Sequence, residues 1–260
     1  MLTHLTLQSQ KKRLDDLLLE RGLAPTRKAA EGLILAGEVL VDDCPVDKLG
    51  ALISDTASIR LRQIPRKYVG RGGEKLEAAL DYFSIDVSGV VALDVGASTG
   101  GFTDCLLQRG AKRVYAVDVG RNQLAYSLRM DQRVVVMEEI HARDLTPAHF
   151  SPEPNFATLD LSFISLRTVL LPATAVLQAG FTALALVKPQ FELSADYVER
   201  GGIVRDTETQ LLAVKLVEEH IVSLGYRVSG SYLSPIRGER KGNQEYFIYF
   251  SGNRSHGEGQ

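Results

Sequence analysis

From residue 90 onward, short apolar segments alternate with amphipathic ones, and this alternation restricts the possible folds more than any other feature of the sequence. An alternation of strands and helices favours a mostly parallel sheet covered by helices on both faces, which is the α/β class. We predict a Rossmann-like sheet of seven strands, the last of them antiparallel, at 90–95, 113–118, 134–138, 156–160, 181–187, 226–233 and 245–250. The predicted helices lie at 74–82, 101–109, 122–130, 165–178 and 207–224.

The N-terminal part of the chain has shorter periodic segments and predicts a separate small α+β domain. Apolar residues at helical spacing lead to Gly22, a typical helix C-cap, and Thr26 can begin a second helix. Alternating valines around Asp42–Asp43 predict a hairpin. The predicted divisions are this small domain at 11–64, a basic linker at 65–73, the α/β domain at 74–252 and a flexible tail at 253–260.

The composition is that of an ordinary globular protein. Apolar residues make up 45% and charged residues 24% of the chain, which excludes a disordered or low-complexity protein. No apolar segment approaches the ~20 residues that cross a membrane, and the N-terminus lacks the apolar core of a signal peptide. Cys44 and Cys105 are far apart, and the five His residues have no metal-ligand spacing. We expect a cytoplasmic protein with no metal site, no membrane association and no disulfide framework.

Positive charge is concentrated in one stretch, although the whole chain carries a net charge of −2. Six Lys or Arg residues lie between 60 and 75, against Glu74 alone. Such a stretch is typical of binding to a polyanion such as RNA, and a solvated linker is the alternative. Arg27 and Lys28 open a predicted helix, where a phosphate can bind; alternatively they are simply exposed. The candidate RNA-binding residues are Arg13, Arg27, Lys28, Arg66, Lys67 and Arg71.

The turn after the first strand of the α/β domain is rich in small residues, which lets a ligand approach the backbone. The next strand ends in Asp118, from which a carboxylate can bind both hydroxyls of an adenosine ribose. The spacing Gly96-x-x-x-Gly100-Gly101 departs from the dinucleotide fingerprint, and Asp94 suits a methionine ammonium better than a pyrophosphate. S-Adenosylmethionine (AdoMet) is therefore favoured over a dinucleotide, and a purely structural turn is the third possibility. The candidate cofactor-binding residues are Asp94, Gly96, Ala97, Ser98, Thr99, Gly100, Asp118 and Asp160, with Glu139 and His141 expected near the adenine.

Charged residues stand at the ends of several predicted strands. Asp160 ends the fourth strand, Lys188 follows the fifth, and Glu245 begins the last. The carboxyl ends of parallel strands meet at one edge of an open sheet, and an antiparallel strand begins there, so these side chains should share that edge with the cofactor. Lys75, in the preceding helix, can reach the same edge. Taken singly, such residues are more often solvated strand ends or helix caps, but together beside a cofactor turn they indicate catalysis.

Several segments resemble the TlyA, or haemolysin A, family of rRNA 2′-O-methyltransferases, whose catalytic domain is similar to the RrmJ/FtsJ methyltransferases. These segments read DVGASTGGF, AVDVGRNQLA, DLSFISL, LVKPQFE and GNQEYF, and RKYVGRGGEKL is similar to the family's linker and first catalytic lysine. RLDDLLLERGLAPTRKAAEGLILAGEVLVDD resembles the small RNA-binding domain of ribosomal protein S4. The resemblance spans about 11–250, and Glu38 and the acidic turn Asp42–Asp43 depart from the family's pattern.

The resemblance implies a catalytic tetrad at Lys75, Asp160, Lys188 and Glu245. It also implies AdoMet as the methyl donor and a ribose 2′-hydroxyl of ribosomal RNA, free or in a ribosomal subunit, as the acceptor. We expect Lys188 to act as the base, Asp160 to orient Lys188 and the donor, and Glu245 to orient Lys75 or the ribose. No metal is expected, because the sulfonium already carries positive charge. The alternatives are a non-catalytic RNA-binding protein, a dehydrogenase, and a membrane-lytic toxin as the older haemolysin name suggests.

Overall fold

The computed structural model of the protein describes residues 10–35, 37–61, 67–238 and 243–253. The chain divides into two compact units, Met1–Arg66 and Lys67–Gln260. The predicted boundary at 64–65, the candidate residue Arg66 and the predicted tail beyond 253 lie outside the described residues. Residues 67–73, predicted as part of a linker, lie within the second unit, where the Val69 N–H donates to Asp104 Oδ2 (2.8 Å).

The described residues of the first unit form two helices and two small antiparallel sheets. Its elements are β1 Lys11–Arg13, α1 Leu14–Glu20, α2 Arg27–Leu35, β2 Val39–Val41, β3 Cys44–Pro45, β4 Leu52–Ser54 and β5 Ile59–Leu61. β1 pairs with β4, and β2 lies between β3 and β5. Apolar residues from one face of each helix and from β2 form the core, including Leu14, Leu18, Ile34 and Val39. The predicted α+β class of this unit is confirmed.

The turn and cap residues of this unit have the conformations that the sequence predicts. Gly22 follows α1 with a φ of 66°, the left-handed conformation of a helix C-cap. Thr26 Oγ1 accepts a hydrogen bond from the Ala29 N–H (3.2 Å) at the start of α2. Asp42 and Asp43 have φ values of 47° and 65°, so a two-residue turn with two left-handed positions joins β2 to β3.

The second unit is a seven-stranded sheet with helices on both faces. Its elements are α3 Gly72–Tyr82, β6 Val91–Val95, α4 Gly101–Gln108, β7 Arg113–Asp118, α5 Tyr126–Arg129, β8 Val134–Glu138, β9 Phe156–Leu159, α6 Leu170–Thr174, β10 Phe181–Val187, α7 Pro189–Glu192, α8 Thr207–Ser223, β11 Arg227–Leu233 and β12 Tyr246–Gly252. The strand order is β11-β12-β10-β9-β6-β7-β8. β12 is antiparallel to both neighbours, and the pairs among β6 to β10 are parallel. The prediction of seven strands with an antiparallel last strand is confirmed.

The order in which the strands are added to the sheet changes side between β6 and β9, which are neighbours in the sheet. From β6 the chain moves outward through β7 to β8, and it then returns to β9 on the other side of β6 and continues to β10. Ligands of open α/β sheets bind outside the carboxyl ends of the strands at such a switch point. The topology therefore places a candidate site at the ends of β6, β7 and β9.

The side chains of the central strands alternate between two apolar layers. Leu93 of β6 belongs to the layer that includes Val217 and Ile221 of α8. Its neighbour Ala92 belongs to the opposite layer, with Leu80 of α3. Because both faces of β6 are covered, all of its residues are buried and the strand is almost continuously apolar. This packing fixes the strand ends, where the polar residues stand.

Helix α5 is much shorter than the helix predicted at 122–130. The backbone N–H groups of Asn122 and Gln123 donate to the Glu138 carboxylate (2.9 and 3.1 Å). Asn122 also has a φ of 54°, which is outside the helical region. These residues therefore form a loop held by β8, and the helix begins at Tyr126.

The prediction of a single helix at 165–178 is also wrong. A 3₁₀ turn at Leu166–Thr168 is followed by the short helix α6. Pro172 lacks an N–H and fits a helix only in its first turn, so a new helix has to begin at Leu170. Helix α7, directly after Lys188, has no counterpart among the predicted helices.

The described residues contain neither a candidate metal site nor a helix suited to crossing a membrane. Within the described ranges, no group of three or more His, Cys, Asp and Glu side chains is placed to hold a metal ion. The helices in those same ranges include none with both the length and the apolar character that crossing a membrane requires.

Candidate active site

Two lysine–carboxylate pairs lie at the carboxyl edge of the sheet. Lys188 Nζ is 2.5 Å from Asp160 Oδ1 and donates a hydrogen bond to Ser162 Oγ (3.0 Å). Lys75 Nζ donates to Glu245 Oε2 (2.7 Å). The Lys188–Asp160 contact is a close ion pair outside hydrogen-bond angles, and among the described residues Asp160 Oδ1 has no hydrogen-bond donor. The four residues of the predicted tetrad thus meet as two pairs.

The strand register explains why residues so distant in sequence meet. Val187 pairs with Tyr246, so Lys188 after β10 lies beside Glu245 before β12. β9 is the other neighbour of β10, and Asp160 directly follows it at the same edge. The antiparallel direction of β12 is what brings its first residues, rather than its last, to the carboxyl edge.

The two pairs form one electrostatic cluster. The Lys75–Glu245 pair is almost completely buried, with side-chain exposures of 8% and 4%. Burial raises the pKa of Glu245, because the carboxylate loses hydration, and the charges of Lys75 and Lys188 oppose this rise. The charge of Asp160 raises the pKa of Glu245 further. Because Glu245 responds to both members of the other pair, a change in charge at one pair affects the other.

A cleft of about 320 Å³ opens at the switch point, and Asp160 and Ser162 form part of its wall. Clefts that take small molecules have volumes of about 300–1,000 Å³, so this one is at the small end of that range. Four of the predicted cofactor residues line it, namely Gly96, Ser98, Asp118 and Asp160. The cleft therefore joins the predicted cofactor turn to the lysine–carboxylate cluster.

The turn between β6 and α4 requires glycine at two positions. Gly96 has a φ of 88°, and a Cβ there would lie 2.3 Å from the Asp160 carbonyl oxygen. Gly100 has a φ of 98°, and a Cβ there would lie 2.2 Å from Leu128 Cδ1. Only glycine combines a positive φ with the absence of a Cβ. The turn consequently packs against β9 and α5, while Ser98 remains exposed at the cleft.

Asp118 lies at the end of β7 with acceptor sites to spare. Its Oδ2 accepts from the Ser98 N–H (2.8 Å) and its Oδ1 from the Gly120 N–H (2.7 Å). An ionised carboxylate offers about four acceptor sites, so about two remain for a ligand. The two backbone bonds hold the carboxylate against the glycine turn.

Asp94 lies beneath the turn rather than in the cleft. Its side chain is fully buried, and its two oxygens accept from Thr103 Oγ1 (2.6 Å) and Thr158 Oγ1 (2.9 Å). Burial raises the pKa of Asp94 to about 6, although the two threonine hydroxyls oppose this rise. Asp94 therefore ties β6 to α4 and β9. The structure does not bring it into the open cleft, where the sequence predicts it near a methionine ammonium.

The two residues predicted near the adenine do not line the cleft, but their neighbours in sequence do. Glu139 and His141 are exposed and do not line the cleft, whereas Ile140 and Ala142 do. In this irregular segment, where Glu139 has a φ of 60° and Ala142 begins a 3₁₀ turn, the apolar side chains point inward and the polar ones outward. Of the other predicted cofactor residues, Ala97 is buried below the turn, Thr99 is exposed, and Gly100 is used in packing.

Sequence reasoning also missed residues that line the cleft. Gln123 and Phe163 are both in its wall. Gln123 follows the acidic strand end by five residues, and Phe163 lies three residues after Asp160. The signal available in the sequence was proximity to these strand ends, since loops after adjacent parallel strands surround one site.

In the first unit, two predicted RNA-binding arginines share a buried carboxylate. Arg13 donates to Asp15 through Nε (3.0 Å) and Nη2 (2.7 Å), and Arg27 donates to it through Nη1 (3.1 Å). The hydrogen bond from Arg13 lowers the pKa of Asp15. Arg27 also pairs with Asp16, whereas Lys28 is exposed. Both arginine side chains remain about half exposed, at 47% and 51%.

In the second unit, the positive charge of Lys67, part of the basic stretch between 60 and 75, is partly neutralised. Lys67 Nζ lies 2.5 Å from Glu77 Oε1 and 5.4 Å from the centre of the Tyr68 ring. Arg71 is exposed at the N-cap position of α3. Lys67 and Arg71 thus present positive charge at the surface of the unit.

Comparisons with known proteins agree with this geometry. A model of the FtsJ-like methyltransferases matches residues 68–251, and a model of the S4 domain matches residues 12–56. YqxC of Bacillus subtilis (strain 168), named provisionally as an rRNA methyltransferase, is 47% identical over 242 residues, which cover 93% of this chain and 86% of YqxC. The 16S/23S rRNA (cytidine-2′-O)-methyltransferase TlyA of Mycobacterium tuberculosis (strain ATCC 25618 / H37Rv) is 43% identical over 242 residues, which cover 93% of this chain and 90% of TlyA.

A solved structure from Streptococcus thermophilus, named provisionally as a hemolysin, matches with a TM-score of 0.75 and 41% identity, and the match covers 94% of this chain and 89% of that one. The FtsJ-like model spans more than half of the chain, and the relatives are similar along nearly their whole length. The chain therefore belongs to the FtsJ-like methyltransferase family and to its TlyA and hemolysin A group, and it joins a methyltransferase domain to an S4 domain.

Proposed function

We propose that the protein transfers a methyl group from AdoMet to a ribose 2′-hydroxyl of ribosomal RNA, with Lys188 as the base. The observation that carries the proposal is the Lys188–Asp160 pair, whose aspartate lies in the wall of the cleft, beside the buried Lys75–Glu245 pair. The relative named as an rRNA (cytidine-2′-O)-methyltransferase supports ribosomal RNA as the substrate. An rRNA substrate, free or in a ribosomal subunit, would place the protein in the cytoplasm.

The residues around the cleft fit AdoMet. Asp118 retains acceptor sites for the ribose hydroxyls, and the glycine turn allows backbone N–H groups to approach the ligand closely. Asp160 offers a carboxylate to the cationic end, and Ile140 offers an apolar surface to the adenine. When bound, AdoMet supplies a methyl group that its positively charged sulfonium has already activated.

Lys188 holds the target hydroxyl and removes its proton. A ribose hydroxyl is a weak nucleophile until a base takes its proton, and placing it in line with the methyl group provides a further large part of the rate. The Lys188 ammonium first releases a proton to water, and the neutral amine then takes the proton of the ribose hydroxyl. Asp160 stabilises the ammonium that forms again in this step. Lys75, held by Glu245, supplies positive charge close to the oxygen that becomes negatively charged.

The S4 domain and the basic stretch bind the RNA backbone in this proposal. A guanidinium has five N–H donors, so Arg13 and Arg27 keep several for phosphates after their contacts with Asp15. The exposed side chains of Lys67 and Arg71 extend the positive surface of the second unit.

Lys188→Ala tests the catalytic assignment. Purified protein, tritiated AdoMet and unmethylated rRNA are mixed, and incorporation into RNA is compared with that of wild type. We expect a loss of at least about a hundredfold, because the general base is removed. Lys215→Ala, on the exposed face of α8, is the matched control and should keep wild-type activity. Methyl transfer by Lys188→Ala at the wild-type rate would refute the assignment.

The position of the methyl group is tested on the RNA product. A 2′-O-methyl group blocks alkaline cleavage of the adjacent phosphodiester, whereas a base methyl group does not. Alkaline hydrolysis followed by mass spectrometry should therefore yield a resistant dinucleotide that carries the label. Label confined to single nucleotides would refute ribose methylation.

Lys67→Ala combined with Arg71→Ala tests the RNA-binding surface. The double variant should bind rRNA more weakly, and the slope of log K against log salt should fall by about 0.7–0.9 for each lost phosphate contact. Lys112→Ala removes an exposed lysine elsewhere in the second unit and serves as the control. An unchanged affinity and an unchanged slope would remove these two residues from the RNA interface.

A further inference from the structure

The tetrad leaves one buried carboxylate of the LVKPQFE segment without a role. Glu192 ends α7, four residues after Lys188, and its side chain is 1% exposed. A carboxylate is costly to bury unless hydrogen bonds and opposite charge compensate for its lost hydration. Such a group within a catalytic segment is held by specific partners, and the identity of those partners indicates its role.

Among the described residues, the polar partners of the Glu192 carboxylate come from the segment that follows Asp160. Oε2 accepts from Ser165 Oγ (2.5 Å), and Oε1 accepts from the Leu166 N–H (2.7 Å). Arg167 Nε lies 3.6 Å from Oε2, and Arg167 Nη2 donates to the Glu192 carbonyl oxygen (2.9 Å). Glu192 therefore fastens the segment after β10 to the segment after β9.

The fastened segment carries a hydroxyl that contacts the proposed base. Ser162 Oγ accepts the hydrogen bond from Lys188 Nζ (3.0 Å). Residues 162–164 are exposed, and Phe163 has a φ of 67°, a conformation that costs a bulky residue free energy. The Phe163 ring packs against the Phe191 ring of α7, with centres 5.3 Å apart. The position of the loop therefore depends on β9 at one end and, at the other, on its contacts with Phe191 and Glu192 of α7.

The direction of the Lys188 amine depends on the same loop. Asp160 and Ser162 lie against Lys188 Nζ from two sides, so the third direction is left for a substrate hydroxyl. A loop displaced by about 1 Å would turn the amine away, and misplacement of that size can lower a rate by about a hundredfold.

We propose that Glu192 is a positioning residue for methyl transfer, which fixes the loop at 161–165 and thereby aims the Lys188 amine through Ser162. The inference rests on the role of Lys188 in the proposed function. Glu192 touches neither the donor nor the acceptor, and its effect reaches the reaction through Ser165, the loop and Ser162.

A double-mutant cycle of Glu192→Ala and Ser162→Ala, measured as kcat with AdoMet and rRNA at saturation, tests the inference. Each single variant should lose about tenfold to a hundredfold in kcat, and the double variant should lose no more than the more impaired single one, because both act on the same amine. Multiplying losses would overturn the proposal, since they would show two independent effects. The AdoMet Kd should stay within about threefold of wild type, because Glu192 contacts no cleft residue of the donor side.

Conservative variants separate positioning from folding. Glu192→Gln can still accept from the Leu166 N–H and should recover most of the kcat lost in Glu192→Ala, and Ser162→Thr keeps the hydroxyl and should recover that lost in Ser162→Ala. Glu219→Gln, on the exposed face of α8, is the control. If Glu192→Ala does not fold, a Ser165→Ala/Ser162→Ala cycle replaces it, because Ser165 donates to Glu192 Oε2, and the same outcomes support or overturn the proposal. A folded Glu192→Ala protein with wild-type kcat would overturn the proposal.

The two proposals fail in different ways. Wild-type protein that leaves rRNA ribose unmethylated contradicts the proposed function before any variant is compared. Active wild-type protein whose Glu192 and Ser162 variants show independent losses, or none, contradicts only the positioning role of Glu192.

Discussion

Asp94→Asn should remove a pH-dependent destabilisation of the folded state. Asp94 is fully buried, and burial is the largest cause of the rise in its pKa from the usual 3.8 to about 6. Each pKa unit corresponds to about 1.4 kcal/mol, so keeping Asp94 ionised costs the folded protein about 3 kcal/mol. Asparagine has the same shape and can bond to both Thr103 and Thr158, because hydroxyl groups donate as well as accept.

The sign of the effect follows from the raised pKa. The folded state binds the Asp94 proton more tightly than the unfolded chain, so protonation of Asp94 stabilises the folded state. This stabilisation is complete below about pH 3.8 and is lost as the pH rises through about 6. Between pH 5 and pH 8, Asp94→Asn should therefore gain about 1.5 kcal/mol of unfolding free energy relative to wild type. Urea unfolding of both proteins across this range measures the difference. A difference that stays constant or decreases would refute the reasoning.

A second Asp→Asn substitution provides the control. Asp206 caps α8 by accepting from the Thr209 N–H (2.7 Å), and the Thr209 hydrogen bonds lower its pKa. A lowered pKa gives stability that is present above the usual pKa and lost only as the pH falls below about 4. The difference in unfolding free energy between Asp206→Asn and wild type should therefore stay constant from pH 5 to pH 8. AdoMet titration completes the test. Loss of more than about tenfold in affinity for Asp94→Asn would place Asp94 against the methionine ammonium, as the sequence predicts.

The remaining predictions concern the buried pair and the glycine turn. Glu245→Gln should lower the unfolding free energy by about 3–5 kcal/mol in urea, because it leaves the Lys75 ammonium buried without its counter-charge. Lys75→Met combined with Glu245→Leu should recover most of that stability while remaining inactive, and a double variant as unstable as the single one would contradict this. Gly96→Ala should weaken AdoMet binding by more than about tenfold in equilibrium dialysis, because its Cβ would overlap the Asp160 carbonyl oxygen and strain the turn. Gly32→Ala, at an open helical position, is the matched control, and equal affinities for the two variants would contradict the role of the turn.

The strands of the second unit were predictable because their physical signal is local. Except for the edge strand β11, each is a short, largely apolar run between turn residues, and the predicted ends agree with the structure to within one or two residues. The meeting of Asp160, Lys188 and Glu245 followed from the strand ends alone once β12 was taken as antiparallel. The position of Lys75 allowed it to reach this edge but did not require it, since a helix position does not specify which edge its side chain reaches. Its place in the tetrad came from the resemblance to known methyltransferases.

The errors arose where tertiary contacts override local pattern. The residues at 122–124 have a helical pattern, yet the Glu138 carboxylate takes their N–H groups. The acid of Asp94 precedes a glycine turn, yet two threonines from other elements enclose it. Nothing in the sequence indicates that Glu192 would contact Ser165, because the two lie 27 residues apart and meet only after β9 and β10 pair.

The switch point assigns different tasks to the two halves of the sheet. Side chains after β6 and β7 line the cleft proposed for the methyl donor, whereas the groups proposed to act on the acceptor stand after β9 and β10 and before β12. Substitutions in the first half should mainly change how tightly the donor is held, and those in the second should mainly change turnover. A descendant of this chain could therefore lose its chemistry by changes in the later strands alone and persist as a sensor of the donor.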